Sequence, residues 1–156
     1  PEQTNDSTKV LFEGKDMRII DPQGNTVRTF MYGWSPTWSP DGEEIAFFLW
    51  DEEREYAGLG IMDSSGENVQ WVYRTPARGS NRDKEYNKLT FIDDGGMTSS
   101  SKISWSPDKK YLVVSGIYQG EGVYKVWRIN IKTGETIFLT NNSSHLYTDP
   151  AVQPTK

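Results

Sequence analysis

The chain has 156 residues, which suits one domain of ordinary size with a core of its own. Aromatic residues make up 13% of the sequence, too many for a disordered chain, and the net charge of -5 argues against a general binder of nucleic-acid backbones. Cysteine is absent, which excludes disulfides and thiolate chemistry. No apolar run approaches the roughly 20 residues that span a bilayer, so we expect no membrane insertion.

The sequence predicts a succession of short strands. Residues 1–8 are polar and aperiodic, and we expect a flexible tail there. From residue 9 to residue 156, runs rich in Val, Ile, Tyr, Phe and Trp alternate with clusters of Gly, Asp, Asn and Pro, which is typical of strands and turns. The sequence therefore predicts an all-β domain with 12 strands and no helix: KVLFEG, MRIID, TVRTF, PTWSP, EEIAFFLW, LGIMD, VQWVYR, ISWSP, KYLVVSG, VYKVWRIN, TIFLT and DPAVQP.

One motif is repeated along the chain. SPTWSPDGEEIAFF at 35–48 returns as SKISWSPDKKYLVV at 101–114, with Trp-Ser-Pro-Asp in register, and a weaker copy, TDPAVQPTK, occupies 148–156. The turns between these copies contain Gly, which supplies the positive φ of tight hairpins. Each repeat is therefore predicted to hold four short strands in two hairpins. The turn glycines are Gly24, Gly66 and Gly134.

This pattern resembles the repeat of TolB-like β-propellers, a WD-related family. The family signature, a Pro-x-Trp-Ser-Pro-Asp-Gly strand and turn followed by IAF-like, IYVMD-like and RxLT-like strands, is matched at 36–42, 45–47, 59–63 and 137–140. The second copy departs from it at Lys109, where Gly is usual. The resemblance covers almost all of the chain from residue 9. It implies four-stranded antiparallel blades and a bacterial periplasmic or extracellular location, but no particular activity.

The strand order places three blades in the domain at 9–156. The chain starts with three strands, completes two whole blades and ends on a lone inner strand near 149–154, so the two ends complement each other. Three blades are fewer than the roughly four to eight that close a ring, and TolB-like propellers typically have six. We therefore expect half of a six-bladed ring, completed by a second copy. The alternative is that these residues are a fragment of a longer propeller.

An insertion is predicted at about 76–100. The spacing from Trp38 to Trp105 exceeds the roughly 40 to 50 residues of a four-stranded blade, and the excess falls there. KLTFI, at 88–92, is a candidate extra strand within it.

The long connections are predicted to open on one face of the propeller. They are 30–35, 50–58, 75–101, 116–122 and 141–149, whereas the turns on the opposite face are short. Closing a long loop costs conformational entropy, and long loops in compact domains usually have a binding function. We therefore predict that a protein or peptide binds there. The candidate ligand-binding residues are Trp34, Trp50, Asp51, Glu52, Glu53, Tyr56, Arg78, Arg82, Asp83, Tyr86, Tyr118, His145 and Tyr147.

Other interpretations stay open for these residues. Aromatic side chains suit sugar stacking as well as peptide docking, so a carbohydrate-binding or lyase-like propeller is an alternative, as is a half-propeller that only self-assembles. Trp34 and Tyr147 are equally suited to packing between blades. His145 is the only histidine, and no nucleophile elbow, phosphate loop or calcium loop appears. We therefore predict a non-enzymatic module with no catalytic residue, metal or cofactor, and no nucleic-acid partner.

Overall fold

The computed structural model describes residues 9–13, 16–31, 33–51, 56–76, 89–90, 92–93, 96–97, 102–118 and 124–140. Within these ranges the regular structure is β-strand, and no helix is long and apolar enough to cross a membrane. The strands are β1 (Lys9–Glu13), β2 (Asp16–Ile20), β3 (Thr26–Met31), β4 (Gly33–Trp38), β5 (Glu44–Asp51), β6 (Tyr56–Asp63), β7 (Gln70–Pro76), β8 (Leu89–Thr90), β9 (Ile92–Asp93), β10 (Gly96–Met97), β11 (Ile103–Trp105), β12 (Tyr111–Tyr118), β13 (Tyr124–Asn130) and β14 (Thr136–Phe138).

These strands form three antiparallel sheets and a small hairpin of β9 and β10. The first sheet has the order β1-β2-β3, the second β4-β5-β6-β7 and the third β11-β12-β13-β14, with β8 added beside β12. The predicted strands from KVLFEG to TIFLT all appear in this order, and the extra strand expected in KLTFI is present as β8. The last predicted strand, DPAVQP, lies outside the described residues.

The second sheet lies between the other two and is covered on both faces. Side chains alternate along a strand, so Ile45 and Phe47 of β5 pack toward the first sheet, while Ala46 and Phe48 pack toward the third. This double burial explains why β5 is a continuous apolar run instead of an alternating one.

Two packed interfaces result. The first seam, between the first and second sheets, contains Met17, Ile19, Ile45, Phe47 and Met62. The second seam, between the second and third sheets, is larger and contains Trp34, Ala46, Phe48, Ala57, Leu59, Ile61, Ile103, Trp105, Leu112, Val114, Trp127 and Ile129.

Polar contacts between neighbouring sheets supplement this packing. The Trp105 indole Nε1 donates to the Thr37 carbonyl at 3.1 Å across the second seam. The Lys109 ammonium lies 2.7 Å from a carboxylate oxygen of Asp41 and 2.7 Å from one of Glu44, both in the preceding copy of the repeated motif. The sheets are therefore joined at the repeated turn as well as through their cores.

The predicted long connections are shorter than the sequence indicated, because the strands continue into them. β3 ends at Met31 and β4 begins at Gly33, so 30–35 is not a loop. The connection expected at 50–58 is reduced to 52–55, and the one expected at 116–122 to 119–123. Aromatic residues near these strand ends, such as Trp50, Tyr56 and Tyr118, favour extended structure.

Candidate ligand-binding face

The two ends of the sheets differ in how their chain reversals are built. At one end, which we call the short-turn end, lie the turns around 21–25, 39–43, 63–68, 106–110 and 130–135. At the other, which we call the long-connection end because the chain between β7 (Gln70–Pro76) and β11 (Ile103–Trp105) leaves from it, β5 and β6 are joined through 52–55 and β12 and β13 through 119–123. In the antiparallel registers, the turns of the first group lie at one end of each sheet and these connections lie at the opposite end.

The turns that lead into the last strand of each sheet are closed by their own side chains. The Asp21 carboxylate accepts backbone N–H groups of Gln23 and Asn25 at 3.0 and 2.8 Å. The Asp63 carboxylate accepts the Ser65 hydroxyl at 2.6 Å and the Glu67 N–H at 2.7 Å. The hydrogen bond from Ser65, followed by that from Glu67, lowers the pKa of Asp63 to about 2.

The two Trp-Ser-Pro-Asp turns have the same hydrogen bond, from the Ser hydroxyl to the Asp carboxylate. The Ser39 hydroxyl donates to Asp41 at 2.6 Å, and the Ser106 hydroxyl donates to Asp108 at 2.7 Å. Desolvation raises the pKa of Asp41, but hydrogen bonds from Lys109 and Ser39 outweigh it and hold that pKa at about 2. The hydrogen bond from Ser106 lowers the pKa of Asp108 to about 2. These carboxylates are ionised at neutral pH and serve the turns, so they do not act as proton donors.

A shallow cavity of about 150 Å³ lies at the short-turn end between the second and third sheets. Its carboxylates already have partners, since Glu44 pairs with Lys109 and Asp63 accepts the Asn68 amide at 2.8 Å. The cavity therefore offers few groups for a ligand. Its lining residues are Glu44, Ile61, Met62, Asp63, Asn68, Gln70, Trp71, Val72 and Ile131.

Two of the candidate tryptophans lie at the long-connection end of the second seam. Trp34 is 2% exposed and stacks on Phe48, with ring centroids 5.5 Å apart, so it packs between sheets instead of standing at an open mouth. Trp50 is partly buried and packs against the same cluster. Neither indole Nε1 has a hydrogen-bond partner within the described ranges.

Three more candidates lie at strand ends on the same side. The Arg74 guanidinium lies over the half-buried Tyr56 ring, with its central carbon 5.2 Å from the ring centroid. Asp51 pairs with Tyr56 at the end of β5, and Tyr118 pairs with Leu89 at the end of β12. The remaining candidates lie outside the described residues: Glu52, Glu53, Arg78, Arg82, Asp83, Tyr86, His145 and Tyr147.

Lys125 is a buried lysine that the sequence analysis did not single out. This residue is 7% exposed, and its ammonium lies 5.2 Å from the centroid of the Phe138 ring. The sequence does indicate that Lys125 is buried. Side chains alternate between the two faces of a strand, and Lys125 lies on the same face of β13 as Trp127 and Ile129, which are both buried. Among the described residues, no group of three or more His, Asp or Glu side chains is placed to hold a metal ion.

Comparison with solved structures defines the architecture. The chain is similar to TolB from Acinetobacter baumannii, with a TM-score of 0.55 and 21% identity over 88% of this chain and 30% of that one. A protein described as TolB from Agrobacterium tumefaciens gives a TM-score of 0.54 and 18% identity over 86% of this chain and 42% of that one. The chain has a TolB-like β-propeller fold.

The TolB-like fold is established by structure alone. No protein-family profile and no curated protein sequence matches the chain. The chain spans less than half the length of either TolB structure. Because a propeller is a scaffold for many functions, the function has to be argued from the two ends of the sheets.

Proposed function

We propose that this chain is a non-enzymatic propeller module that binds a protein or peptide at its long-connection end. The contrast between the two ends carries the proposal. The turn carboxylates at the short-turn end are engaged in their own turns, whereas buried indole donors at the long-connection end have no acceptor in the described chain. Aromatic rings with polar edges suit the docking of a peptide, which offers both apolar side chains and carbonyl groups.

We also propose that the chain carries three blades and supplies half of a six-bladed ring. In the second and third sheets, β5 and β12 each pair with an inner strand, β4 or β11. The strand of the first sheet that corresponds to β5 and β12 is β1, and it has no inner strand beside it among the described strands. The broken motif copy at 148–156 has the sequence to provide it. A second copy would supply that strand and the remaining blades, and pairing there removes an open sheet edge.

The peptide proposal is tested with two matched tyrosines. Tyr56 at the long-connection end and Tyr111 at the short-turn end are both half-buried under an arginine, with Arg74 and Arg128 at 5.2 and 4.4 Å. On peptide and glycan arrays, we expect the wild-type chain to retain peptides, Tyr56→Ala to lose them, and Tyr111→Ala to bind as before. Equal loss in both variants contradicts the proposal, and retention of glycans alone supports the carbohydrate alternative.

The ring proposal is tested by mass in solution. Light scattering is expected to give the mass of a dimer, and deletion of residues 148–156 is expected to give a monomer. A well-folded monomer of the chain with residues 148–156 retained, at micromolar concentration, contradicts the half-ring. The bacterial periplasmic or extracellular location stays a prediction from the sequence resemblance.

A further inference from the structure

The contacts that join neighbouring sheets repeat from one seam to the next. We call the last strand of each sheet, β3, β7 or β14, its outer strand. At the first seam, the β6–β7 turn lies on the outer strand of the first sheet, and a Cβ placed at Gly66 would overlap the Phe30 ring. At the second seam, the β13–β14 turn lies on β7, and a Cβ placed at Gly134 would be 2.8 Å from the Val72 carbonyl oxygen. Each of these turns therefore packs on the outer strand of the preceding sheet.

The core positions beside these turns follow the same repeat. Met62 and Ile129 each come directly before a turn, and both are buried against the preceding sheet, with 1% and 0% of their surface exposed. The corresponding residue of the first sheet, Ile20, is only half-buried. No described atom lies within 4 Å of a Cβ placed at Gly24 in the turn that follows. The face of the first sheet that points away from the second sheet thus lacks the cover that its equivalents have.

The third sheet has the complementary open face. Phe138 packs against the second seam, so its neighbours Ile137 and Leu139 point to the opposite face. The Leu139 N–H donates to the Val126 carbonyl at 2.9 Å, which shows that strand pairing continues to this residue. Ile137 and Leu139 are 42% and 48% exposed, whereas the residues beneath the next turn on the other two outer strands are partly buried. This apolar pair has no such turn over it.

We infer that the open face of the third sheet binds the 21–25 turn of a second copy, with Ile137 and Leu139 beneath that turn. The two open faces are the two halves of a contact that the chain already makes twice, at its first and second seams. A contact between unlike surfaces gives a closed ring when its repeated rotation closes. Two copies make this contact twice, and Ile20 enters the new seam as Met62 enters the first. The inference rests on the proposed half-ring and specifies the surfaces through which the copies meet.

The test compares two apolar side chains of equal exposure. Leu139 and Val69 are 48% and 49% exposed, and each lies directly beside an outer strand, but Val69 belongs to the second sheet, which already has a neighbour on both faces. In sedimentation equilibrium, Leu139→Asp is expected to raise the dissociation constant of the dimer by about tenfold or more, because it buries a charge without a partner. Val69→Asp is expected to associate as wild type does. Wild-type association of a folded Leu139→Asp variant, or equal weakening by Val69→Asp, overturns the inference.

Gly24 provides a milder variant at the other half of the contact. In the separated chain, a Cβ at Gly24 meets nothing, but in the dimer it would meet the outer strand of the second copy, as one at Gly66 meets Phe30. Gly24→Ala is therefore expected to raise the dissociation constant by about tenfold. Below that concentration, the separated chain has only the backbone strain. An unchanged dissociation constant in both Gly24→Ala and Leu139→Asp overturns the inference.

Cross-linking locates the two surfaces directly. The chain has no cysteine, so the single variants Gln23→Cys and Leu139→Cys can be mixed and treated with a short bis-maleimide. Gln23 corresponds to Ser65, whose carbonyl accepts the Arg28 guanidinium of the preceding outer strand at 3.4 Å. We expect the mixture to give more covalent dimer than either variant alone. Val69→Cys mixed with Leu139→Cys is the control and is expected to give only background. Equal yields from the two mixtures overturn the inference.

The half-ring and this surface fail in different ways. If the chain is a dimer, but Leu139→Asp leaves it intact and the cysteine mixture gives only background, the surface is rejected and the dimer stands. If the cysteine mixture cross-links and deletion of residues 148–156 leaves the dimer in place, the surface stands and the exchange of the inner strand is rejected. A monomer at micromolar concentration that gives no cross-link above background rejects both.

Discussion

Trp38 and Trp105 occupy the same place in two copies of one motif but differ in what covers them. Trp105 is 6% exposed and donates to Thr37, which belongs to the inner strand β4 of the preceding sheet. Trp38 is only partly buried at the margin of the first seam. The first sheet has no inner strand among the described residues, so the surface on which Trp105 rests has no counterpart for Trp38. The environment of this tryptophan thus depends on the sheet before it.

The turns of the two copies differ as well. Gly42 has a φ of 75°, and Lys109, at the corresponding position, has a φ of 57°. A non-glycine residue in this left-handed region is strained by about 1–2 kcal/mol. Its ammonium compensates by pairing with Asp41 and Glu44 of the other copy. The departure from the family motif at this position therefore connects two neighbouring sheets.

The largest effect is expected from truncating the two tryptophans. Trp105→Ala is expected to lower the free energy of unfolding by about 3–5 kcal/mol, because it leaves a cavity in the second seam. Trp38→Ala is expected to cost clearly less, since its ring is partly exposed. Urea unfolding of both variants measures the difference. Equal losses would show that the two copies are equally covered.

The next effect concerns the glycines of two equivalent turns. Gly24 and Gly66 have φ values of 87° and 80°, but a Cβ at Gly24 meets nothing within 4 Å, whereas one at Gly66 overlaps the Phe30 ring of the first sheet. Gly24→Ala is therefore expected to cost about 1 kcal/mol from the backbone alone. Gly66→Ala adds overpacking worth about 1–3 kcal/mol. If urea unfolding gives the same loss for both, the contact across the first seam is absent in solution.

Substitutions of Lys109 separate strain from charge. Lys109→Met keeps the strained φ and loses the ion pairs, and it is expected to cost about 1 kcal/mol at low salt and less at high salt. Lys109→Gly loses the same pairs but relieves the strain, so its stability is expected to be close to that of wild type at low salt and above it at high salt. Urea unfolding at two salt concentrations measures both. A Lys109→Gly variant that is less stable than wild type at both concentrations contradicts this account.

The smallest effect is a pH dependence at the same contact. The folded pKa of Asp41, about 2, lies below the ordinary value of 3.8, so ionised Asp41 stabilises the fold above about pH 4. This contribution is lost as the pH falls through about 2. Unfolding midpoints followed from about pH 5 to pH 2 are expected to fall less steeply for Asp41→Asn than for wild type. An unchanged slope would indicate that Lys109 does not pair with Asp41 in solution.

Much of the fold follows from local sequence. Trp-Ser-Pro-Asp and the Asp-initiated turns predict chain reversals because short polar side chains and Gly satisfy their own backbone groups. The candidate site was harder to predict. Trp34 and Lys125 lie in strands whose alternation places them inward, but nothing local shows whether such a face is covered. Most of the predicted insertion, 76–100, and eight of the candidate ligand-binding residues lie outside the described residues.

The sequence by itself determined the strands, their order and the repeated turns, since these depend on residues close together in the chain. The tertiary structure decided which faces are buried, because each seam joins distant residues, as Thr37 and Trp105 show. It also determined that Lys109 bridges two sheets and that the indoles of Trp34 and Trp50 are buried without an acceptor in the described chain. The burial and hydrogen bonding of these side chains depend on how the sheets pack together, so they cannot be predicted from the sequence of any single strand.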